Sequence, residues 1–149
     1  MQRLLFIVLS LTLLASANAL GSNSTDGLLE LSYEQTKSGK LDDALSTLQQ
    51  AVSKDPMSSL AHTRLGGVRV LRQEYSTGIK DFQRAIMLDQ NNASAFVGMA
   101  VAYLHMGQYS LARAALDEAV KLDQSKKPEI DQVLAWIEQR TNGASLNAH

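Results

Sequence analysis

Histidines, paired carboxylates and adjacent glycines are the residues through which this chain could do chemistry, and none is set out for it. Its histidines are His62, His105 and His149, and none has a second ligand at metal spacing such as the helical H-E-x-x-H pair. His62 falls on a core-facing slot of a helical pattern, where a structural histidine is expected, and His149 ends a polar tail. Asp42-Asp43 and Asp117-Glu118 fall at the starts or outer faces of helical patterns. There they suit a helix N-terminus or solvent better than a general acid and base. Gly66-Gly67 lies inside a helical pattern and implies close packing, and no G-x-S-x-G, phosphate loop or dinucleotide fingerprint occurs. With no cysteine, thiol nucleophiles, thiolate zinc sites and disulfides are excluded. The expectation is a protein without catalytic residues, metal or cofactor.

The elements that would position any site are helices. A chain of 149 residues with net charge −1 is one domain's worth and lacks the basic excess of a nucleic-acid-binding surface. Its two prolines, Pro56 and Pro128, leave long helical patterns unbroken, and β-branched runs are absent, so the fold class is all-α. Arg3, the apolar run Leu4–Leu14 and the ending Ala17-Asn18-Ala19 have the layout of a secretory signal peptide over residues 1–19. An apolar core of that length falls short of the roughly 20 residues that span a bilayer. Membrane contact is therefore expected only through an uncleaved leader, and the mature protein is expected to start at Leu20, exported to a periplasm or secreted. Residues 20–26 are small and polar and read as a flexible lead-in. Asn23-Ser24-Thr25 and Asn92-Ala93-Ser94 match the glycosylation sequon, which matters only in a eukaryotic source.

Sliding the chain against itself aligns Gly27–Gln50, Ala61–Arg84 and Ala95–Glu118 at a shift of 34 without gaps. Slots of the first helix read Leu28/His62/Phe96, Leu31/Leu65/Met99, Ser32/Gly66/Ala100 and Gln35/Arg69/Tyr103. Those of the second read Ala44/Gly78/Ala112, Leu48/Phe82/Leu116 and Ala51/Ala85/Ala119. Small residues recur where two helix axes must approach, and larger apolar ones fill the space beside them. Each copy closes on an aspartate: Asp55, Asp89 and Asp123.

These slots resemble the tetratricopeptide repeat, a 34-residue helical hairpin carrying W-x₂-L-G-x₂-Y…A-x₃-F…P. The third copy fits best, with Phe96, Met99, Ala100, Tyr103, Ala112 and Leu116 in place. The resemblance implies a helical-hairpin solenoid of three units, about 25–58, 59–92 and 93–126, within residues 27–124. At the same shift Ile130, Val133, Leu134 and Ile137 continue the first-helix slots, so residues 127–140 read as a capping helix and 141–149 as a disordered tail. A slot that faces the preceding unit in the family reads Glu34, Val68, Ala102 and Trp136. Trp136 is thus expected to bury its ring against the third repeat.

The resemblance also implies a concave wall of first-helix residues that binds other proteins. Carried over, its candidate residues are Leu29, Tyr33, Leu60, Thr63, Val70, Val97, Val101, Leu104 and His105. Some members grip chaperone C-terminal carboxylates with cations at such slots. Here the slots are mostly apolar, which favours an apolar peptide or amphipathic helix as partner. A non-catalytic interaction module is expected, or else a self-associating component whose groove a second copy covers as a homodimer.

Overall fold

The computed structural model describes residues 23–146, with side chains from 23 to 141. The expected leader, residues 20–22 of the lead-in and residues 147–149 lie outside the described residues. Among those described there are seven α-helices, one 3-10 turn and no strand. The helices are α1 (Thr25–Lys37), α2 (Leu41–Lys54), α3 (Ser59–Leu71), α4 (Tyr75–Leu88), α5 (Ala93–His105), α6 (Tyr109–Leu122) and α7 (Lys127–Leu146), with the turn at Gln124–Lys126. The chain divides into two compact units, Met1–Pro56 and Met57–His149. The first contains the antiparallel pair α1 and α2. In the second, α3 pairs with α4, α5 with α6, and α7 packs on α6.

The 34-residue period extends to the backbone. Ser24, Ser58 and Asn92 are the N-caps of α1, α3 and α5, and their side chains accept the N–H of Gly27, Ala61 and Ala95 at 3.0, 3.1 and 2.9 Å. Each such cap contributes about 1 kcal/mol. The helix therefore begins at Thr25, inside the stretch read as lead-in. Between the helices of each pair the chain turns through a left-handed residue: Gly39 at φ 73°, Gln73 at 65° and Gly107 at 70°. In all three turns this residue's N–H donates to a carbonyl three residues back, and the next N–H to a carbonyl five back, which satisfies the helix's last acceptors. Gln73 holds this conformation at a cost of roughly 1 kcal/mol that glycine avoids.

Helix crossings rest on the small slots. Ala44, Gly78 and Ala112 are buried, as are Leu48, Phe82 and Leu116 beside them. A Cβ on Gly66 would lie 3.0 Å from the Gly78 carbonyl oxygen and 2.9 Å from Phe82 Cε1, and one on Gly98 would overlap the Phe82 ring. Gly66 is the close-packing glycine, whereas a Cβ on Gly67 would meet open space. The structure corrects the slot of Leu31, which is 46% exposed while Leu65 is buried. Its counterpart Met99 packs against both the Phe82 cluster and the Ala100–Leu116 cluster, so this slot faces backwards along the array. Among the described residues no helix precedes α1 to cover Leu31.

The slots that hold Tyr103 and Ala115 in the core of the third repeat hold an ion pair in the second. Arg69 Nη1 donates to Asp81 Oδ2 at 2.7 Å, with both side chains largely buried. Burial pushes the Asp81 carboxyl above the usual carboxylate range, outweighing the attraction of Arg69.

α7 buries Ile130 and Ile137 in the core shared with Ala112 and Leu116, with Val133 and Leu134 alongside. Each isoleucine contributes about 1.5–3 kcal/mol. Two expectations about this end are corrected. The helix does not stop at Arg140 but runs to Leu146. Thr141 Oγ1 donates back to the carbonyls of Ile137 and Glu138, and Gly143 costs only about 1 kcal/mol within a helix. Trp136, expected to be buried, is 42% exposed. It lies at the margin of the Ile130–Ile137 stripe, edge-on to Tyr109 at 5.9 Å, with the Arg140 guanidinium 4.7 Å above its ring.

Gly98→Ala should lower the urea midpoint. Overpacking against Phe82 costs about 1–3 kcal/mol, more than the ~1 kcal/mol of helix propensity gained. With Phe82→Leu in the background the same substitution should become neutral or stabilising. Gln73→Gly should raise stability by roughly 0.5–1 kcal/mol and Gly107→Gln should lower it, as read from paired thermal or urea melts.

Candidate protein-binding surface

Seven of the nine candidate wall residues lie in the second unit, on α3 and α5. Ser94, Val97 and Val101 share one face of α5, at intervals of three and four residues. Val101 is 38% exposed, and Val97 and Leu104 are half-buried with one side against the Ala100–Leu116 core. On α3, Leu60 is 51% exposed, while half-buried Val70 packs on the Phe82 cluster. His105 stacks flat on Tyr75 at the start of α4, with ring centroids 5.0 Å apart and planes 6° from parallel.

The structure brings Leu60, Thr63 and Ser94 together around an open cavity of about 510 Å³ at the N-terminal ends of α3 and α5. Its floor is polar. Asn92, besides capping α5, donates its side-chain amide to Ser59 Oγ and Thr63 Oγ1, both at 2.8 Å. Ser59 Oγ in turn donates to the Ala85 carbonyl at 2.9 Å, and Thr63 Oγ1 donates to the Ser59 carbonyl at 2.8 Å. The rim carries Asp89, Asp123 and Lys126. Asp89 Oδ1 accepts the Asn91 N–H and Asp123 Oδ1 accepts the Ser125 N–H, each at 3.0 Å, so the closing aspartates hold the turns between repeats. Hydrogen bonds from the Ser125 hydroxyl and N–H, with Lys126 nearby, hold the Asp123 carboxyl below the usual range.

The first unit's two candidates separate. Tyr33 is 49% exposed, with Lys37 Nζ 5.6 Å from its ring centroid. Leu29 is only 5% exposed and is withdrawn from the wall. Leu28 and Leu29 are adjacent and both buried, so the core stripe of α1 is broader than the periodic slots alone. His62 is buried, and no group of three or more metal-capable side chains occurs among the described residues. Asn92 is the site residue that the wall assignment missed. Its signal was the position three residues before Ala95, shared with Ser24 and Ser58, which marks an N-cap.

Two family models, both described as tetratricopeptide repeat, match residues 29–95 and 69–137. Residues 29–137 are tetratricopeptide repeats. Among curated relatives, the peroxisomal targeting signal receptor of Komagataella phaffii is 29% identical over 102 residues, covering 68% of this chain but 17% of the receptor. The TPR repeat-containing thioredoxin TDX of Arabidopsis thaliana is 26% identical over 125 residues, covering 83% of this chain and 32% of that protein. The chain thus spans a third or less of the length of either relative. Among solved structures, the first TPR domain of human RPAP3 superposes with a TM-score of 0.77 at 18% identity, covering 87% of this chain and all of that domain. The Yersinia enterocolitica type III secretion chaperone SycD, in complex with a peptide of the translocator YopD, gives 0.72 at 21% identity over 78% of this chain and 93% of the chaperone. These likenesses establish the helical-hairpin fold.

Proposed function

We propose that this tetratricopeptide-repeat protein is a non-catalytic adaptor whose wall on α3 and α5 captures an apolar peptide or amphipathic helix of another exported protein. The observation that carries this reading is the water-exposed apolar side chains on first helices, Leu60 on α3 and Val101 on α5, with half-buried Val97 one turn before Val101, all held on a buried core. Exposed apolar surface is unfavourable by about 25 cal/mol per Å², and contiguous patches of it mark interaction sites. Structures of the same fold have been solved with peptides bound: SycD with a peptide of the translocator YopD, and the first TPR of Spaghetti (RPAP3) with the HSP90 peptide SRMEEVD. The wall residues named on α5 include no lysine or arginine, which argues for apolar rather than carboxylate recognition.

Val101→Glu should weaken partner capture by about 2 kcal/mol while leaving the helical circular dichroism and melting intact, since the residue faces solvent in the free protein. Unchanged capture would place the partner elsewhere. Loss of helix would make Val101 a core residue. Size exclusion separates this reading from self-association, in which Val101→Glu would instead turn a dimer into a monomer.

Export is part of the same proposal and rests on Arg3, Leu4–Leu14 and Ala17-Asn18-Ala19. Intact mass of the protein recovered outside the producing cytoplasm should begin at Leu20, and retention of residues 1–19 would overturn it.

A further inference from the structure

We infer that residues 7–20, as long as they remain on the chain, fold back on α1 as the second helix of an incomplete repeat and cover Leu31. This contact is separate from peptide capture by the wall. Shifting α2, α4 and α6 back by the 34-residue period lands on residues 7–20, which lie outside the described residues. There Ser10 falls on the slot of Ala44, Gly78 and Ala112, and Leu14 on that of Leu48, Phe82 and Leu116. Ala17 falls on the slot of Ala51, Ala85 and Ala119. Small, large apolar and small residues at spacings of four and then three are the crossing pattern of the second helices. A leader needs an apolar run but no such order within it. The copy departs from the others at Gly21, where the repeats close on aspartate.

The connector has the right length. Residues 55–58 and 89–92 each join a second helix to the first helix that follows, and residues 21–24 match them in number and end on the N-cap Ser24. So short a tether makes docking on α1 intramolecular, at an effective concentration of about millimolar. Residues 7–20 and α1 belong to the same compact unit.

α1 offers the face that such a helix would cover. In the second unit Met99 and Ala95 of α5 pack with Phe82 and Ala85 of α4. The same slots on α1 hold Leu31, which is 46% exposed, and Gly27. α6 and α7 give the nearer precedent. Val133, in the slot of Leu31, packs against the cluster that contains Leu116, and the slot of Gly98 is there filled by Gln132. Leu14 with Leu31 and Glu30 repeats that combination, in which a leucine rather than a phenylalanine ring faces the first helix. Covering Leu31 also withdraws one side of the apolar run from water. While docked, the run is hidden from any export machinery, so export has to engage it before α1 is folded, and its removal leaves Leu31 bare.

Because the chain has no cysteine, an introduced pair reports a single contact. The test uses the full chain, made by cell-free translation without membranes, carrying Leu31→Cys together with Leu14→Cys, Ala17→Cys, Thr12→Cys or Ser16→Cys. In a fixed glutathione buffer the pairs with positions 14 and 17 should form the intramolecular disulfide about tenfold faster than those with 12 and 16, which fall on the opposite side of a helix. Rates that vary smoothly with position, as for a flexible tether closing a loop, would overturn the inference. In a second measurement Leu31→Cys alone should react with a maleimide about fivefold more slowly than Leu31→Cys with Leu14→Asp, because docking must open before the thiol is reached. Equal rates would again overturn it. Both readouts are independent of Val101→Glu and of cleavage at Ala19, so failure here leaves the wall and the export reading as they were, and their failure leaves this contact standing.

Discussion

How closely two helix axes can approach at their crossing governs everything else in the second unit. Where α3 crosses α4 there is glycine on both sides, and each backbone carbonyl oxygen stands 3.0 Å from where the other residue's Cβ would be. The ring of Phe82 then lies across the glycine of the next first helix. Packing at such contacts tolerates no added methyl without displacing a ring or a backbone. The benefit appears on the other side of the same helices. A core that cannot slide keeps Leu60, Val97 and Val101 at fixed separations, and the proposed binding surface, set on rigid elements, would lose little entropy when occupied.

The repeat unit is closed by polar groups at its two ends and by apolar ones at its middle. At one end a side-chain cap starts each first helix, and at the other a left-handed residue turns the chain into the second. In the second repeat the slots of the third repeat's Tyr103 and Ala115 hold Arg69 and Asp81, an ion pair whose carboxylate is disfavoured by burial more than its partner repays. The same backbone geometry thus accommodates two different chemistries at one slot.

Much of this was legible in the sequence because the period couples distant positions. Ala44, Gly78 and Ala112 announce a crossing together, where any one alone would be an ordinary small residue. Ile130 and Ile137 announce the cap in the same way. What stayed hidden depended on neighbours rather than on slots. Leu31 has a core residue's type and no preceding described helix to meet. Leu29 sits on a nominal wall slot but is buried beside Leu28. Trp136 falls one residue off its helix's buried stripe, and size alone suggested burial. Asn92 carries the N-cap signal of its place in the period, but its bridging of Ser59 and Thr63 joins residues about thirty positions apart and leaves no mark in the sequence.

Phe82 against Gly98 also gives the array a grammar. The slot of Gly98 is Glu30 in the first repeat and Arg64 in the second. A duplicated second repeat would present Arg64 where its predecessor's Phe82 ring requires bare backbone, so the copy would not dock on its template. The third repeat, by contrast, has Leu116 in the slot of Phe82 and makes no such demand on the helix that follows. A second unit repeated in tandem would therefore meet the Phe82 ring with a side chain, whereas a third unit repeated in tandem would not. Repeat order is written into the chain by one ring and one missing side chain.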